Sequence, residues 1–197
     1  DLLRHTSGLT YRDRGQTPAH KLYPGSSMYA AVKYSSAQFL ERIAASPLLF
    51  EPGSNWEYGF STDILGLVVE RITGVTLDVA LDRMIFAPLG MSHTGFKLRD
   101  DQQSRYARAY PKDAVSGAPQ SILHATGDAM QWQSGGGGAV STASDYLRFA
   151  DMLRCGGTRD NVRLLGPRTI RLMTADHLPA SASAALQTAW IRQRPVT

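Results

Sequence analysis

Apolar residues recur at helical spacing in five stretches, each with its own start and stop signals. Ser35-x-x-Gln38 has the form of a capping box, in which a hydroxyl and an amide three residues apart satisfy each other's backbone N–H groups. Phe39, Leu40 and Ile43 then share one face, and Pro47 ends the run. After Ser61 and Thr62, Leu65, Val68, Val69 and Ile72 repeat every three or four positions, and Gly74 can close that helix. Thr76 opens a shorter helix carrying Leu77, Leu81, Met84 and Ile85, halted at Pro88; the brief connection makes the two a helical hairpin. Thr142, Ser144 and Asp145 start a helix bearing Tyr146, Phe149, Ala150 and Leu153, which ends at Gly156-Gly157. Pro167, suited to a first helical position, opens the last, with Ile170, Leu172 and Met173.

Between these runs the pattern loosens. Residues 1–34 are loop-rich, with Gly8, Gly15, Pro18, Pro24 and Gly25. Residues 95–133 are polar and irregular, and Asp100-Asp101-Gln102-Gln103 and the 111–121 stretch read as surface excursions, which often wall a functional site. Strand signals are few and no repeat of solenoid period is present. The pattern predicts the helix-rich part of a mixed α/β protein, one domain or most of one.

Composition narrows the function classes. The 197 residues are 43% hydrophobic and 19% charged, enough to bury a core without a metal or disulfide framework. The net charge of +4 is spread: Lys21, Lys33, Lys97 and Lys112 are scattered, and the densest basic piece is Arg192-Gln193-Arg194. That is a solvated surface rather than a phosphate-tracking groove, so no nucleic-acid partner is expected. No apolar run approaches the ~18–20 residues of a membrane span. Cys155 is the single cysteine, which excludes an intrachain disulfide, and its helix-end position predicts inert packing. His5, His20, His93, His124 and His177 show no metal-ligand spacing, and no cofactor is expected. Asp1 is not a methionine and Leu2-Leu3-Arg4-His5 reads as the middle of a longer sequence, which leaves compartment and oligomeric state open.

Four phrases carry more specific information. They are Leu2-Leu3-x-His5-Thr6-Ser7-Gly8-Leu9; Phe50-x-Pro52-Gly53-Ser54-x-Trp56-x-Tyr58 with Ser61-Thr62-Asp63-Ile64-Leu65-Gly66 and Glu70-x-x-x-Gly74 behind it; Pro88-Leu89-Gly90-Met91-x-x-Thr94-x-Phe96; and Ser134 through Asp145 followed by Arg163-Leu164-Leu165, Met173 and His177-Leu178-Pro179. In this order they resemble the serine β-lactamase and penicillin-binding-protein superfamily, on the class C side, and in motif the family VIII carboxylesterases. The resemblance implies a β-lactamase/transpeptidase-like α/β fold, of which residues 1–197 would be an interior part, mostly the helical lobe, lacking the nucleophile helix and closing strands. Such a piece would expose apolar surface made for the rest of the sheet.

The resemblance also implies a mechanism. A Ser-x-x-Lys pair on one helical face supplies the nucleophile and its lysine, a tyrosine from a second motif shuttles the proton, and a late strand helps hold the oxyanion. Tyr58 matches the tyrosine. A free phenol, with a pKa near ~10, becomes a useful base only where neighbouring cations lower that value. Phe60 stands where the motif asparagine would bind a β-lactam amide, which argues for simple acyl esters; the alternative is that Phe60 fills core, which would leave the substrate open. Trp56, Phe60, Gly136 and Gly137 are the candidate substrate contacts, with the Gly135–Gly138 run read as a tight turn at the pocket rim.

The nucleophile pair is not in the sequence: three residues before the four lysines stand Pro18, Ala30, Thr94 and Ala109. It would fall before Asp1. His93-Thr94-Gly95 copies one form of the third motif but sits too early in the order, and no Gly-bearing strand follows Leu178-Pro179. Gly59-Phe60-Ser61-Thr62-Asp63 begins like a nucleophile elbow but has Asp in the last place, so Ser61 is expected to cap a helix. The expected function is a serine hydrolase acting on a small-molecule ester or amide, foremost a carboxylesterase, and inactive as residues 1–197 alone. The alternatives are a β-lactamase or DD-peptidase parent and a non-catalytic binding relative.

Overall fold

Capping chemistry decides where most helices begin and end in this computed structural model, which describes residues 1–107, 110–119, 130–178 and 180. Helices α1 (Pro18–Leu22), α2 (Ser27–Lys33) and α3 (Ser36–Ala44) precede α4 (Ser61–Thr73) and α5 (Leu77–Leu81), which runs on into a π-helical turn, Asp82–Phe86. Helix α6 (Ala143–Arg154), a hairpin of β1 (Thr158–Arg159) and β2 (Val162–Arg163), and α7 (Pro167–Thr174) follow among the described residues. The hairpin is antiparallel with Thr158 opposite Arg163, and its turn places both Asp160 and Asn161 at positive φ, as a two-residue connection requires.

The five stretches with an apolar period are helical, the third as α5 continued by its π-helical turn. The capping box of α3 is complete: the Gln38 N–H donates to Ser35 Oγ at 3.2 Å and the Ser35 N–H to Gln38 Oε1 at 3.0 Å. Gly74, at φ 70°, closes α4 by donating to the Glu70 carbonyl. The hydroxyl of Thr76 makes no capping bond to α5; Glu70 Oε1 instead accepts from the Leu77 N–H at 2.9 Å, tying the hairpin together. Thr142 Oγ1 caps α6 through the Asp145 N–H.

The structure adds α1 and α2 to the segment read as loop. Both are too short for an apolar period, yet both carry local start signals: Thr17 caps α1 with Pro18 at its first position, and Ser26 caps α2. Two expectations are corrected. Ser61 is the first residue inside α4 rather than its cap, because Phe60 holds the cap position and the Ser61 hydroxyl bonds Ser7 Oγ at 2.8 Å. Cys155 is exposed instead of packed, its thiol directed to Asp151. His124, Pro179, Arg192, Gln193, Arg194 and the end of the 111–121 stretch lie outside the described residues.

Two apolar clusters hold the elements. The larger joins Leu9, Tyr23, Ala30, Ala31, Phe39, Ile43, Phe60, Leu67 and Trp132. Phe60 is at its centre, edge-on to Phe39 at 5.2 Å and to Tyr11 at 4.5 Å, while Phe39 stacks on Trp132 at 4.8 Å. A fully buried phenylalanine contributes roughly 1.5–3 kcal/mol, so this one ring fixes the start of α4 against α3 and the N-terminal segment. The smaller cluster, Leu89, Met91 and Met152, packs α6 over the π-helical turn and the hairpin through Phe86, Phe149 and Leu164. No helix among the described residues is long and apolar enough to cross a membrane.

Candidate active site

Tyr58 is presented by a short segment hydrogen-bonded to the backbone of residues 5–8. The Glu57 N–H donates to the His5 carbonyl at 2.9 Å, the Gly53 N–H to Thr6 at 2.7 Å and the Leu49 N–H to Gly8 at 2.9 Å. A side chain at position 59 would collide with the backbone of Leu9 and Thr10, so only glycine lets the two segments approach. The alternation across Gly59 sorts its neighbours: Tyr58 points outward and is 44% exposed, while Phe60 is fully buried. Phe60 therefore presents no surface to a ligand; it fills core and bears on the site through the ring of Tyr11.

The exposed phenol ring is held between two others. His5 lies 5.1 Å from it, tilted by 37°, and Tyr11 lies 5.6 Å away, edge-on. Trp56 is half-buried, with its ring 6.0 Å from that of His5. His5 adopts a left-handed backbone at φ 55°, uncommon for a residue with a side chain, and its Nδ1 is buried with no hydrogen-bond partner. Burial pushes its pKa down, which keeps the imidazole neutral at neutral pH.

Behind the rings lies a chain of hydroxyls ending on a carboxylate. Tyr11 Oη is 2.8 Å from Ser27 Oγ, which donates to Asp63 Oδ2 at 2.7 Å. Ser134 Oγ donates to the other oxygen, Asp63 Oδ1, at 2.5 Å and itself accepts from the Gly136 N–H at 3.1 Å. Asp63, in the first turn of α4, has no exposure to solvent. Burial pushes its pKa up, and the hydrogen bonds from Ser134, Ser27 and the Gly136 backbone pull the other way. Tyr11 is pushed up to about 12, mainly by burial and further by the charges of Asp63 and Tyr58, against the Ser27 hydrogen bond.

The glycine run gains its explanation here. A methyl at Gly135 would strike the Thr62 carbonyl, and one at Gly136 would stand 2.5 Å from Asp63 Oδ2 and 2.6 Å from Ser27 Oγ. The run lets the backbone of residues 134–136 lie on the first turns of α4 and reach the buried carboxyl. Gly137 sits over Ser27 and Met28 with ordinary room for a side chain.

His93-Thr94-Gly95 serves elsewhere. The His93 N–H and the Thr94 hydroxyl both donate to Asp145 Oδ2, at 2.7 and 2.9 Å, and Gly95 pairs with Val140, so the tripeptide fastens a loop to the start of α6. Among the described residues no group of histidine, cysteine and acidic side chains could hold a metal ion.

Sequence reasoning names Tyr58 as a candidate and does not single out Asp63, Ser27, Tyr11, Ser134 or His5, which the structure places around it or behind it. One signal was available: Asp63, Gly66 and Leu67 share a helical face by spacing, and a carboxylate on the same stripe as an apolar residue is a candidate for burial. All three are buried.

The arrangement is that of a β-lactamase/transpeptidase-like fold, of which the described residues are a helix-rich portion with one small hairpin. Residues 1–193 match the family model described as Beta-lactamase, and the chain belongs to that family. Protein Rv1367c of Mycobacterium tuberculosis is 36% identical over 183 residues, covering 90% of this chain and 44% of that protein. Esterase EstB of Burkholderia gladioli is 32% identical over 179 residues, covering 78% of this chain and 43% of EstB. Among solved structures, Simvastatin Synthase (LovD) from Aspergillus terreus superposes with a TM-score of 0.74 at 27% identity, over 95% of this chain and 45% of LovD. The chain thus spans less than half the length of these relatives. The family is of the serine hydrolase and esterase type, with esterase and acyltransferase homologues.

Proposed function

We propose that the protein containing these residues cleaves carboxylic esters of small molecules through a serine acyl-enzyme, with Tyr58 as the proton shuttle and residues 1–197 as part of a single catalytic domain. The observation that carries this reading is the Tyr58 phenol, 44% exposed at the motif position beside the buried Gly59 and Phe60. In this mechanism the phenolic oxygen takes the serine proton as the serine oxygen bonds to the acyl carbon. It then hands the proton to the departing alcohol, and water releases the acid by the same steps in reverse. The esterase names among the relatives favour esters, while Phe60, buried in the core, leaves the choice between ester and β-lactam open. Residues 1–197 contain no Ser-x-x-Lys and are expected to form no acyl-enzyme alone.

The test is the Tyr58→Phe variant of the longer active protein, assayed on p-nitrophenyl esters of short acids. We expect kcat to fall by ~10²-fold or more, as for loss of a general base, with the fold intact by circular dichroism. An unchanged kcat removes Tyr58 from the mechanism. Faster turnover of a chromogenic cephalosporin than of the esters would move the assignment to a β-lactamase or DD-peptidase.

A further inference from the structure

We propose that Asp63 is a positioning residue for Tyr58, setting the hydrogen-bond direction of the Ser27–Tyr11 hydroxyl chain, which ends at a ring packed edge-on against the exposed phenol. This rests on the reading of Tyr58 as the proton shuttle.

The argument is one of counting hydrogens. A serine or tyrosine hydroxyl has a single hydrogen to donate. When Asp63 is ionised it only accepts, so Ser27 donates to it across 2.7 Å and must accept from Tyr11 across 2.8 Å. The Tyr11 hydrogen is then turned toward Ser27 and away from the Tyr58 ring, which packs edge-on 5.6 Å from that of Tyr11. That direction favours a protonated Tyr58. When Asp63 carries a proton on Oδ2 the chain reverses: Asp63 donates to Ser27, Ser27 to Tyr11, and Tyr11 toward the Tyr58 oxygen, which favours the phenolate. Ser134 donates to Oδ1 in both states, so it holds the carboxyl in place without deciding the direction.

Three observations make Asp63 suited to this. It has no contact with solvent, so its proton is exchanged through the network rather than screened by water. Its partners, Ser27 from α2, Ser134 and the Gly136 N–H, are uncharged and fix no ionised state as an arginine or lysine would. Burial raises its pKa. The titratable groups at the other end are Tyr11, Tyr58 and His5; His5 is held neutral by burial and adds no charge against the phenol.

The experiment follows the phenols directly. Tyrosine labelled with ¹³C at Cζ is incorporated into the 197-residue chain, and the Tyr58 resonance is identified by Tyr58→Phe and titrated by NMR. Ser27→Ala and Asp63→Asn are each expected to move the Tyr58 midpoint by about half a pH unit or more. Ser27→Thr, which keeps a hydroxyl, is expected to restore it. Tyr11→Phe is expected to erase the influence of Asp63, so that adding Asp63→Asn to Tyr11→Phe changes nothing further. The proposal is overturned if Ser27→Ala leaves the midpoint unmoved, or if the Asp63 effect survives without the Tyr11 hydroxyl. The Ser27 pair keeps the test decisive should Asp63→Asn not fold. No turnover is required, so an inactive Tyr58 would sink the proton-shuttle reading while leaving the titration result standing.

Discussion

His5 and Asp63 are both pressed away from their charged forms by burial, and they tilt stability in opposite directions with pH. The folded-state pKa of His5 is lowered, so the fold binds a proton there less readily than the unfolded chain. Its contribution is complete above about pH 6.5 and is lost as pH falls toward the lowered value. The folded-state pKa of Asp63 is raised, so the fold binds that proton more readily. Its contribution is present in acid and is lost as pH rises from about 4 through the raised value. Urea midpoints measured from pH 4 to 8 should therefore show a shallower acid-side loss in His5→Asn, whose side chain tolerates the left-handed backbone. In Asp63→Asn the decline on raising pH from 4 should disappear. Parallel curves for a variant and the parent chain would remove that residue as a titrating group. Tyr58 is legible in the sequence because the Trp56-x-Tyr58 context is specific. Asp63 is hidden because an acid in the first turn of a helix already has an ordinary explanation in the helix dipole.

Helix α4 is positioned as much by missing side chains as by its apolar stripe. Gly135 lies against the Thr62 carbonyl, and Gly66 faces it, so the loop and helix meet backbone to backbone. Gly135→Ala should destabilise the chain by about 1–3 kcal/mol, the range for forced overpacking. Gly95→Ala, where nothing lies within 4 Å of the added methyl, should stay within about 0.5 kcal/mol. Urea unfolding of the two variants checks this, and equal effects would refute the packing argument. Helices α3, α4, α6 and α7 are readable because each presents both a period and a terminal signal. Helices α1 and α2 have only their caps, and five or seven residues cannot display a period. The role of the glycine run as a seat for the Asp63 carboxyl depends on what lies 71 residues earlier, which no local pattern reports.

Beyond the two clusters, apolar side chains remain open to solvent. Leu40 and Val68 are 43% and 40% exposed on the rim of a shallow groove of about 910 Å³ between α3, α4 and α5. The chemical consequence of this exposed apolar surface can be measured. The 197-residue chain should bind an apolar dye such as ANS in native buffer, and Val68→Glu should reduce that fluorescence without shifting the urea midpoint. Dye binding unaffected by Val68→Glu would place the apolar surface elsewhere.

The separation between Asp63 and Ser134 also sets an order in time. A ribosome adding about 5–20 residues per second finishes Ser134 roughly 4–14 s after Asp63. Over that interval the nascent chain can assemble α2, α3 and α4, while one oxygen of the carboxyl still lacks the hydroxyl that will cover it. The seat of the Asp63 carboxyl is thus finished from the far side of the sequence, after α2, α3 and α4 exist. Slowing translation between these two codons would lengthen the life of a half-closed intermediate, which pulse proteolysis of stalled chains would trap.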